Sequence, residues 1–318
     1  MFKSTFSISL ALFFILILSG CGEINNANNT QGSENSNDQD QNTSTSISHE
    51  WGTYETENSA EKIITLDFSF LDTLTSLEVT PTGNAGVGTT KIPEYLQDQV
   101  REVTDVGERK APNLEVIQSL NPDIIIASVD RHSMIRTELE DISDTIALDD
   151  FNFNQILENV KTIGEIVRKQ EKADQVISDL QDKVIETKKQ INHSPSILVV
   201  GYFDDEFTVW VKDSFIGSLL SEIGFEYAFN GEKANLEGKG EGVKMTLERL
   251  YEINPDFIMI YGDNHDKLKE NPLYKDLNSV KGNQFLEVER NLWSRGRGPI
   301  AASKIIDEAL SILSESNN

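Results

Sequence analysis

Three arginines lie within eight residues near the end of a strongly acidic chain. Arg290, Arg295 and Arg297 occur in a protein of 318 residues whose net charge is −25, with 53 Asp and Glu against 28 Lys and Arg. A glycine follows each of the last two arginines and allows the backbone to turn tightly. Because guanidinium groups form paired, charge-assisted hydrogen bonds with carboxylates, this segment predicts a site for a carboxylate-bearing anion.

The surroundings of these arginines favour the same interpretation. Trp293 lies between them, and Pro299 suits the first residue of a following helix, whose N-terminal amides favour anions. The alternative is a solvated loop that balances Glu287 and Glu289. The density of arginine in an acidic chain favours the anion site, and Trp293 is included among its residues.

Further candidate ligand-binding residues are expected at the edge of a parallel sheet, where the carboxyl ends of the strands meet. Arg131 and His132 directly follow a predicted strand at 124–129, and Lys91 lies in the loop after a predicted strand at 79–83. In the second half, aromatic residues lie near strand ends. Tyr202 and Trp210 are predicted to line a pocket wall, whereas Phe203 is expected to pack in the core.

A thirteen-residue phrase occurs twice and indicates how these residues are positioned. The copies, at 114–126 and 247–259, share six identical residues, including Asn-Pro-Asp. Each copy predicts a short helix that Asn-Pro ends, followed by a buried parallel strand. Two such units predict two similar α/β lobes with a ligand-binding cleft between them.

The region between the repeats predicts one long helix. Apolar residues recur at helical spacing across 170–191, which corresponds to about 30 Å of helix. The alternative is an ordinary surface helix of one domain. The predicted fold is therefore α/β, with two Rossmann-like lobes, each with a central parallel sheet, joined by one long rigid α-helix. The expected boundaries are 49–169 for the N-terminal lobe, 170–191 for the helix and 192–318 for the C-terminal lobe.

The start of the chain is predicted to be a segment for export and membrane anchoring. Residues 1–20 contain Lys3 followed by an apolar run from Phe6 to Leu18, which is typical of a signal peptide. Leu18-Ser19-Gly20-Cys21 resembles a bacterial lipobox and predicts that Cys21, the single cysteine, carries lipid. Residues 21–48 are mainly polar and predict a disordered tether. The alternative is an ordinary signal peptide with a chance cysteine.

Several classes of function are disfavoured. The acidic charge argues against nucleic-acid binding, and no hydrolytic or phosphate-binding motif is present. The four histidines are not spaced as a metal pair. The sequence therefore predicts neither an enzyme nor a protein that coordinates a metal directly.

The chain resembles the substrate-binding lipoproteins of bacterial iron–siderophore ABC importers (class III, with a helical backbone), in the ferric-citrate-like branch. The resemblance covers about 50–315. It is carried by short motifs at six places: Lys62–Leu66, Gly107-Glu108-Arg109, the two Asn-Pro-Asp units, Ser214–Gly217 and Trp293–Gly296. It implies two lobes bridged by one helix and a protein that captures a ferric chelate and passes it to an ABC permease and its ATPase.

The resemblance also implies roles for particular residues. Arg109 and Arg131 from the first lobe, with the three arginines at 290–297, would bind Fe(III)-citrate, and Lys91 and His132 would assist. Glu94 and Glu222 would dock the permease. The chelate satisfies the iron, so no cofactor and no direct metal ligand are expected. The lipid on Cys21 would hold the protein at the extracellular face of a Gram-positive cell membrane.

The sequence is also compatible with other ligands and other functions. Another carboxylate siderophore, staphyloferrin-like or petrobactin-like, would suit clustered arginines, and haem would need a Tyr or His ligand. A surface-anchored enzyme acting on anionic substrates is an alternative of another class. A purely structural adhesin would leave the arginine segment unexplained.

Overall fold

The structure, a computed structural model, describes residues 44–191, 193–232, 240–263 and 265–316. The predicted signal peptide, Cys21 and the predicted tether up to residue 43 lie outside these described residues. In the described part of the chain, no helix is both long enough and apolar enough to cross a membrane.

The N-terminal lobe begins with a hairpin and continues as a six-stranded sheet with helices. Its strands are β1 (Thr45–His49), β2 (Gly52–Thr56), β3 (Ile63–Thr65), β4 (Gly83–Gly86), β5 (Thr104–Glu108), β6 (Ala111–Pro112), β7 (Ile124–Ser128) and β8 (Thr145–Leu148). Its helices are α1 (Phe68–Ser76), α2 (Leu114–Ser119), α3 (Val129–His132), α4 (Arg136–Glu140) and α5 (Phe153–Ile166), with 3₁₀ turns at Glu94–Leu96 and Ser133–Ile135. The sheet order is β6-β5-β4-β3-β7-β8, and only the β5–β6 pair is antiparallel.

One long helix, α6 (Gln170–Gln190), joins the two lobes, as the apolar spacing predicts. Its buried side chains divide between two cores. Ala173 packs in a core of the N-terminal lobe, whereas Leu180 and Val184 pack in the core of the C-terminal lobe. The helix is therefore part of both lobes, which makes it a stiff connector.

The C-terminal lobe carries a second six-stranded sheet. Its strands are β9 (Ser196–Phe203), β10 (Glu206–Trp210), β11 (Glu226–Tyr227), β12 (Gly242–Met245), β13 (Phe257–Gly262) and β14 (Phe285–Glu287). Its helices are α7 (Phe215–Glu222), α8 (Leu247–Ile253), α9 (His265–Lys269), α10 (Pro272–Asp276), α11 (Asn278–Lys281), α12 (Arg290–Trp293) and α13 (Pro299–Ser316). The main order is β12-β10-β9-β13-β14, with β11 beside β9.

This second sheet is mixed, whereas the sequence predicts a parallel one. Strand β10 runs antiparallel to β9 and to β12. The cause is the two-residue turn Asp204-Asp205, in which both residues have positive φ angles of 51° and 64°. Such a turn forms a tight hairpin, and a hairpin makes its two strands antiparallel.

Both repeats adopt the predicted helix–strand unit, α2–β7 and α8–β13. Asn121 and Asn254 end the helices in the left-handed conformation, with φ angles of 46° and 47°. The aspartates that follow fasten the neighbouring strands. Asp123 accepts hydrogen bonds from the backbone of Glu61 and Lys62, and Asp256 accepts one from the backbone of Ser196. The repeated phrase is thus a scaffold device.

Three boundaries differ from the sequence prediction. Strand β1 begins at Thr45, before the expected start at His49, because residues 45–49 pair with β2 along their whole length. The His49 ring accepts hydrogen bonds from the backbone of Trp51 and Ala147 and ties this hairpin to the lobe. Strand β4 begins at Gly83, after Pro81, which has no N–H to donate to a ladder. The arginine segment at 290–299, for which the sequence predicts no helix before Pro299, opens with the short helix α12.

Candidate functional site

A cavity of about 640 Å³ lies between the two lobes. Its N-terminal wall is lined by Val87, Glu108, Arg109, Lys110, Asp130 and Arg131. Its C-terminal wall is lined by Phe203, Thr208, Trp210, Glu241, Tyr261, Arg290, Ser294, Arg295 and Arg297. The structure therefore brings together six of the ten residues that the sequence predicts for ligand binding: Arg109, Arg131, Trp210, Arg290, Arg295 and Arg297.

Three guanidinium groups converge on this cavity from both lobes. Burial lowers the pKa of Arg295, and the positive charges of Arg290 and Arg109 lower it further. The Arg295 Nη1 atom donates to the Asn291 side chain at 2.8 Å. Among the described residues, neither Arg290 nor Arg295 forms an ion pair with a carboxylate. These positive charges repel one another, and a bound anion would relieve that repulsion.

An aromatic wall supports Arg290. Its guanidinium carbon lies 4.3 Å from the centre of the Phe203 ring and 5.9 Å from that of Tyr261. The Trp210 Nε1–H donates to the Tyr261 hydroxyl at 2.9 Å. Gly201 makes room for this arrangement, because a Cβ there would lie 2.8 Å from the Tyr261 ring. These contacts fix the side chains before any ligand arrives.

Arg131 and Arg297 are each paired with two carboxylate residues of a buried network, which Arg109 joins through Asp67 at 3.4 Å. Arg131 lies 3.3 Å from Asp67 and 3.1 Å from Asp150. Arg297 is 3% exposed and forms a two-pronged pair with Glu241, with one N···O distance of 2.6 Å. It also donates to the Asp150 carbonyl oxygen at 3.3 Å. This network crosses the base of the cleft.

The electrostatics of the network favour the charged forms of Arg131, Arg297 and Asp150. Burial by itself would lower the pKa of Arg131 and Arg297, but the neighbouring carboxylates raise both. Burial would raise the pKa of Asp150, but the charges of Arg131 and Arg297 hold it below its usual value. Arg131 and Arg297 therefore shape the floor of the cavity. Arg290 and Arg295 are the less committed donors, and Arg109 has one carboxylate partner, Asp67 at 3.4 Å.

His132 and Lys91 lie away from the cavity. The buried His132 ring accepts a hydrogen bond from the Ser128 N–H at 2.9 Å, and its Nε2–H donates to the Arg109 carbonyl at 2.6 Å. Burial lowers its pKa, which favours the neutral ring that these bonds need. It thereby positions the backbone of Arg109. The exposed Lys91 pairs with Asp105 at 2.5 Å.

Trp293 and Tyr202 also lie outside the cavity lining. Trp293 is 1% exposed, and its Nε1–H donates to Glu308 at 2.6 Å, which fastens α12 to α13. Tyr202 bonds to Asp205 at 3.1 Å. Neighbouring residues of a strand point to opposite faces, so Phe203 reaches the cavity and Tyr202 faces a separate groove of about 500 Å³. Phe203 packs against the core of the C-terminal lobe, as expected, and it also lines the cavity, which the sequence did not predict.

Sequence reasoning missed part of the site, although a signal was present for some of it. Asp67 and Asp150 each follow the end of a strand, β3 and β8, at the sheet edge that carries Arg131. The rule that identified Arg131 applies equally to them. Tyr261 is the last residue but one of β13 and faces Gly201 in the strand register, but no spacing distinguishes it from a core tyrosine. Glu241 had no local signal.

The predicted docking residues lie on the surface. Glu94 begins the 3₁₀ turn of the N-terminal lobe, and Glu222 ends α7 of the C-terminal lobe. Both side chains are exposed. Each lobe thus presents one of them to solvent.

The two lobes, the connecting helix and the cleft define a two-lobed binding-protein fold. The sequence profile of the periplasmic binding protein family matches residues 63–292. The chain belongs to that family.

Known proteins that are similar along almost the whole chain support this assignment. The putative ABC transporter substrate-binding lipoprotein YhfQ of Bacillus subtilis is 29% identical over 96% of this chain and 97% of its own. The Fe(3+)-citrate-binding protein YfmC of the same organism is 30% identical over 92% and 91%. Both relatives are named as binding proteins, and YhfQ as one of an ABC transporter.

A solved structure shares the fold. Staphylococcus aureus SirA complexed with staphyloferrin B superposes with a TM-score of 0.74 at 23% identity, over 85% of this chain and 98% of that chain. This match confirms the predicted α/β fold with two lobes.

Proposed function

We propose that this chain is an extracytoplasmic solute-binding lipoprotein that captures a ferric chelate, foremost Fe(III)-citrate, and delivers it to an ABC permease and its ATPase. The observation that carries the proposal is the convergence of Arg109, Arg290 and Arg295 on one interlobe cavity. Each carboxylate of an anionic chelate can accept two parallel hydrogen bonds from one planar guanidinium group. Iron is the cargo here, held by the oxygen atoms of the chelate.

The names of relatives support this ligand class. YfmC is named for Fe(3+)-citrate, and the SirA structure contains staphyloferrin B. A carboxylate siderophore is accordingly the second candidate. The aromatic wall of Phe203, Tyr261 and Trp210 favours it, because that wall offers apolar contact to a ligand larger than citrate.

A titration followed by tryptophan fluorescence tests the proposal. Trp210 lines the cavity, so a bound ferric chelate should quench its emission. We expect quenching by ferric citrate at micromolar concentration or below, and we expect weaker quenching by a ferric catecholate. Strong quenching by the catecholate with none by ferric citrate would reject the proposal. A Soret band after incubation with haemin would instead support haem as the ligand.

Anchoring and docking belong to the same proposal. Lipid on Cys21 would hold the protein at the outer face of a Gram-positive membrane, and Glu94 and Glu222 would contact the permease. Replacing both glutamates with alanine should lower iron uptake by cells and leave the affinity of the purified protein for its chelate unchanged. Equal uptake by the variant would remove these two residues from the docking surface.

A further inference from the structure

The arginine segment is attached at its far end to the opposite lobe. Asp72 of α1, in the N-terminal lobe, accepts hydrogen bonds from the backbone N–H groups of Ile300 and Ala301, each at 2.9 Å. These amides form the first turn of α13, a helix of the C-terminal lobe that follows Arg295 and Arg297 directly. One carboxylate of one lobe therefore caps the helix that ends the binding segment of the other.

The contact is fitted closely. A Cβ on Gly298 would lie 2.4 Å from the carboxyl carbon of Asp72, so only glycine allows the segment to approach this near. Ile300 packs beside Phe68 and Leu71 of the N-terminal lobe. The segment is thus held by both hydrogen bonds and apolar contact.

Asp72 is also an unusual residue to find in that place. It is fully buried, and among the described residues no Lys or Arg pairs with it. The groups that face it are the two amides and the Tyr95 phenol, and burial raises its pKa to about 7. A Ser, Thr, Asn or Asp at the residue just before the helix could cap it locally at less cost. Capping from the other lobe instead connects the two walls of the cleft.

We propose that Asp72 is a positioning residue for ligand capture, which fixes Arg295 and Arg297 in the cleft by holding the first turn of α13 from the opposite lobe. The inference rests on the proposed function only in requiring an anionic ligand at these arginines. Glycines at 296 and 298 leave the segment free to move once its anchor is lost.

Two arms test the proposal with Asp72→Asn, which keeps the shape but can accept only one of the two amide hydrogens. In the ligand-free protein, hydrogen exchange of residues 294–301 should become faster. In the titration, Kd for ferric citrate should rise by about tenfold or more. The matched control is Asp123→Asn, which also loses a carboxylate that accepts two backbone amides but lies away from the cavity. Its Kd should stay that of the wild type.

A double-mutant cycle separates positioning from a general loss of stability. Asp72→Asn should cost little additional affinity in a protein that already carries Arg295→Ala, because both changes remove the same donor. Additive losses in Kd would overturn the proposal, and so would unchanged exchange at 294–301. Gly298→Ala is a second route to the same displacement and should reproduce both effects.

The arms also distinguish this inference from the proposed function. If wild-type protein fails to bind ferric citrate, the proposed ligand is wrong. The exchange arm still tests the anchor, and the affinity arm is then run with staphyloferrin B. Binding of that chelate with no effect of Asp72→Asn on its Kd would overturn the inference alone.

Discussion

The arginines of this cleft serve two purposes: some build its floor, and others are available to bind a ligand. Arg131 and Arg297 are held by Asp67, Asp150 and Glu241 inside the protein, so they build the floor. Arg290 and Arg295 have no such ion pairs in the described part of the chain. The number of arginines in the sequence therefore overstates the charge available to a ligand, because buried carboxylates take up part of it.

Removing a free arginine should weaken binding strongly. We expect Arg295→Ala to raise Kd for the ferric chelate by roughly ten- to a hundredfold, since a charged hydrogen bond contributes about 1.5–3 kcal/mol. The measurement is the fluorescence titration. Arg249→Ala is the matched control, because Arg249 is exposed and pairs with Glu252 outside the cavity. An equal effect of both changes would contradict a local role.

Removing a carboxylate of the buried network should instead lower stability. Glu241→Ala leaves the Arg297 guanidinium with only part of its hydrogen bonding, and breaking a buried pair in this way costs about 3 kcal/mol or more. Urea denaturation measures the loss. Glu206→Ala breaks an exposed pair with Lys244 and should cost about 1 kcal/mol or less.

Stability should depend on pH through His132. Burial lowers its pKa from the ordinary value of 6.5, so the unfolded chain takes up a proton more readily than the folded one. The contribution of His132 is present above pH 6.5 and is lost as the pH falls below it. His132→Asn should make the thermal midpoint less dependent on pH in that window, and an unchanged dependence would contradict this role of His132.

At the scale of the elements, strand register decides which aromatic side chains reach the ligand. The tight turn after β9 leaves Phe203 on the cavity side and Tyr202 behind it. Gly201→Ala should displace the Tyr261 ring from its hydrogen bond with Trp210, because the added methyl group meets the ring. We expect a shifted tryptophan emission in the free protein and weaker chelate binding. Unchanged emission would show that the wall tolerates the methyl group.

The sequence predicts where helices and strands lie better than it predicts which side chains point into the cavity. Periodicity identified α6 almost to the residue, because a long amphipathic helix is a local pattern. The repeats were found for the same reason, since Asn121 and Asn254 mark helix ends by their own chemistry. The sequence could not show that Phe203, and not Tyr202, lines the cavity. A shift of one residue in strand register moves every side chain to the opposite face of the sheet. Partners such as Glu241 and Arg297 are brought together only by the folded chain.

At the scale of the whole molecule, the charge of the body and the charge of the cleft have opposite signs. A net charge of −25 repels an anionic chelate at long range, whereas the cavity attracts it nearby. Screening lengths are about 30 Å at 0.01 M salt and about 10 Å at 0.1 M. The association rate should therefore rise with added salt at first and fall at higher salt. Stopped-flow measurements check this, and Arg295→Ala should weaken the fall.

The capping of α13 by Asp72 also determines when the cleft can exist. The two partners are 228 residues apart, so Asp72 is synthesised long before the helix it caps. Until that helix docks, the Asp72 carboxylate lacks its two amide hydrogen bonds, and Arg295 and Arg297 are not yet fixed in the cleft. A chain cut short before residue 299 would therefore lose both the anchor of the arginine segment and the apolar side chains that α13 adds to the core of the C-terminal lobe, and it should capture nothing.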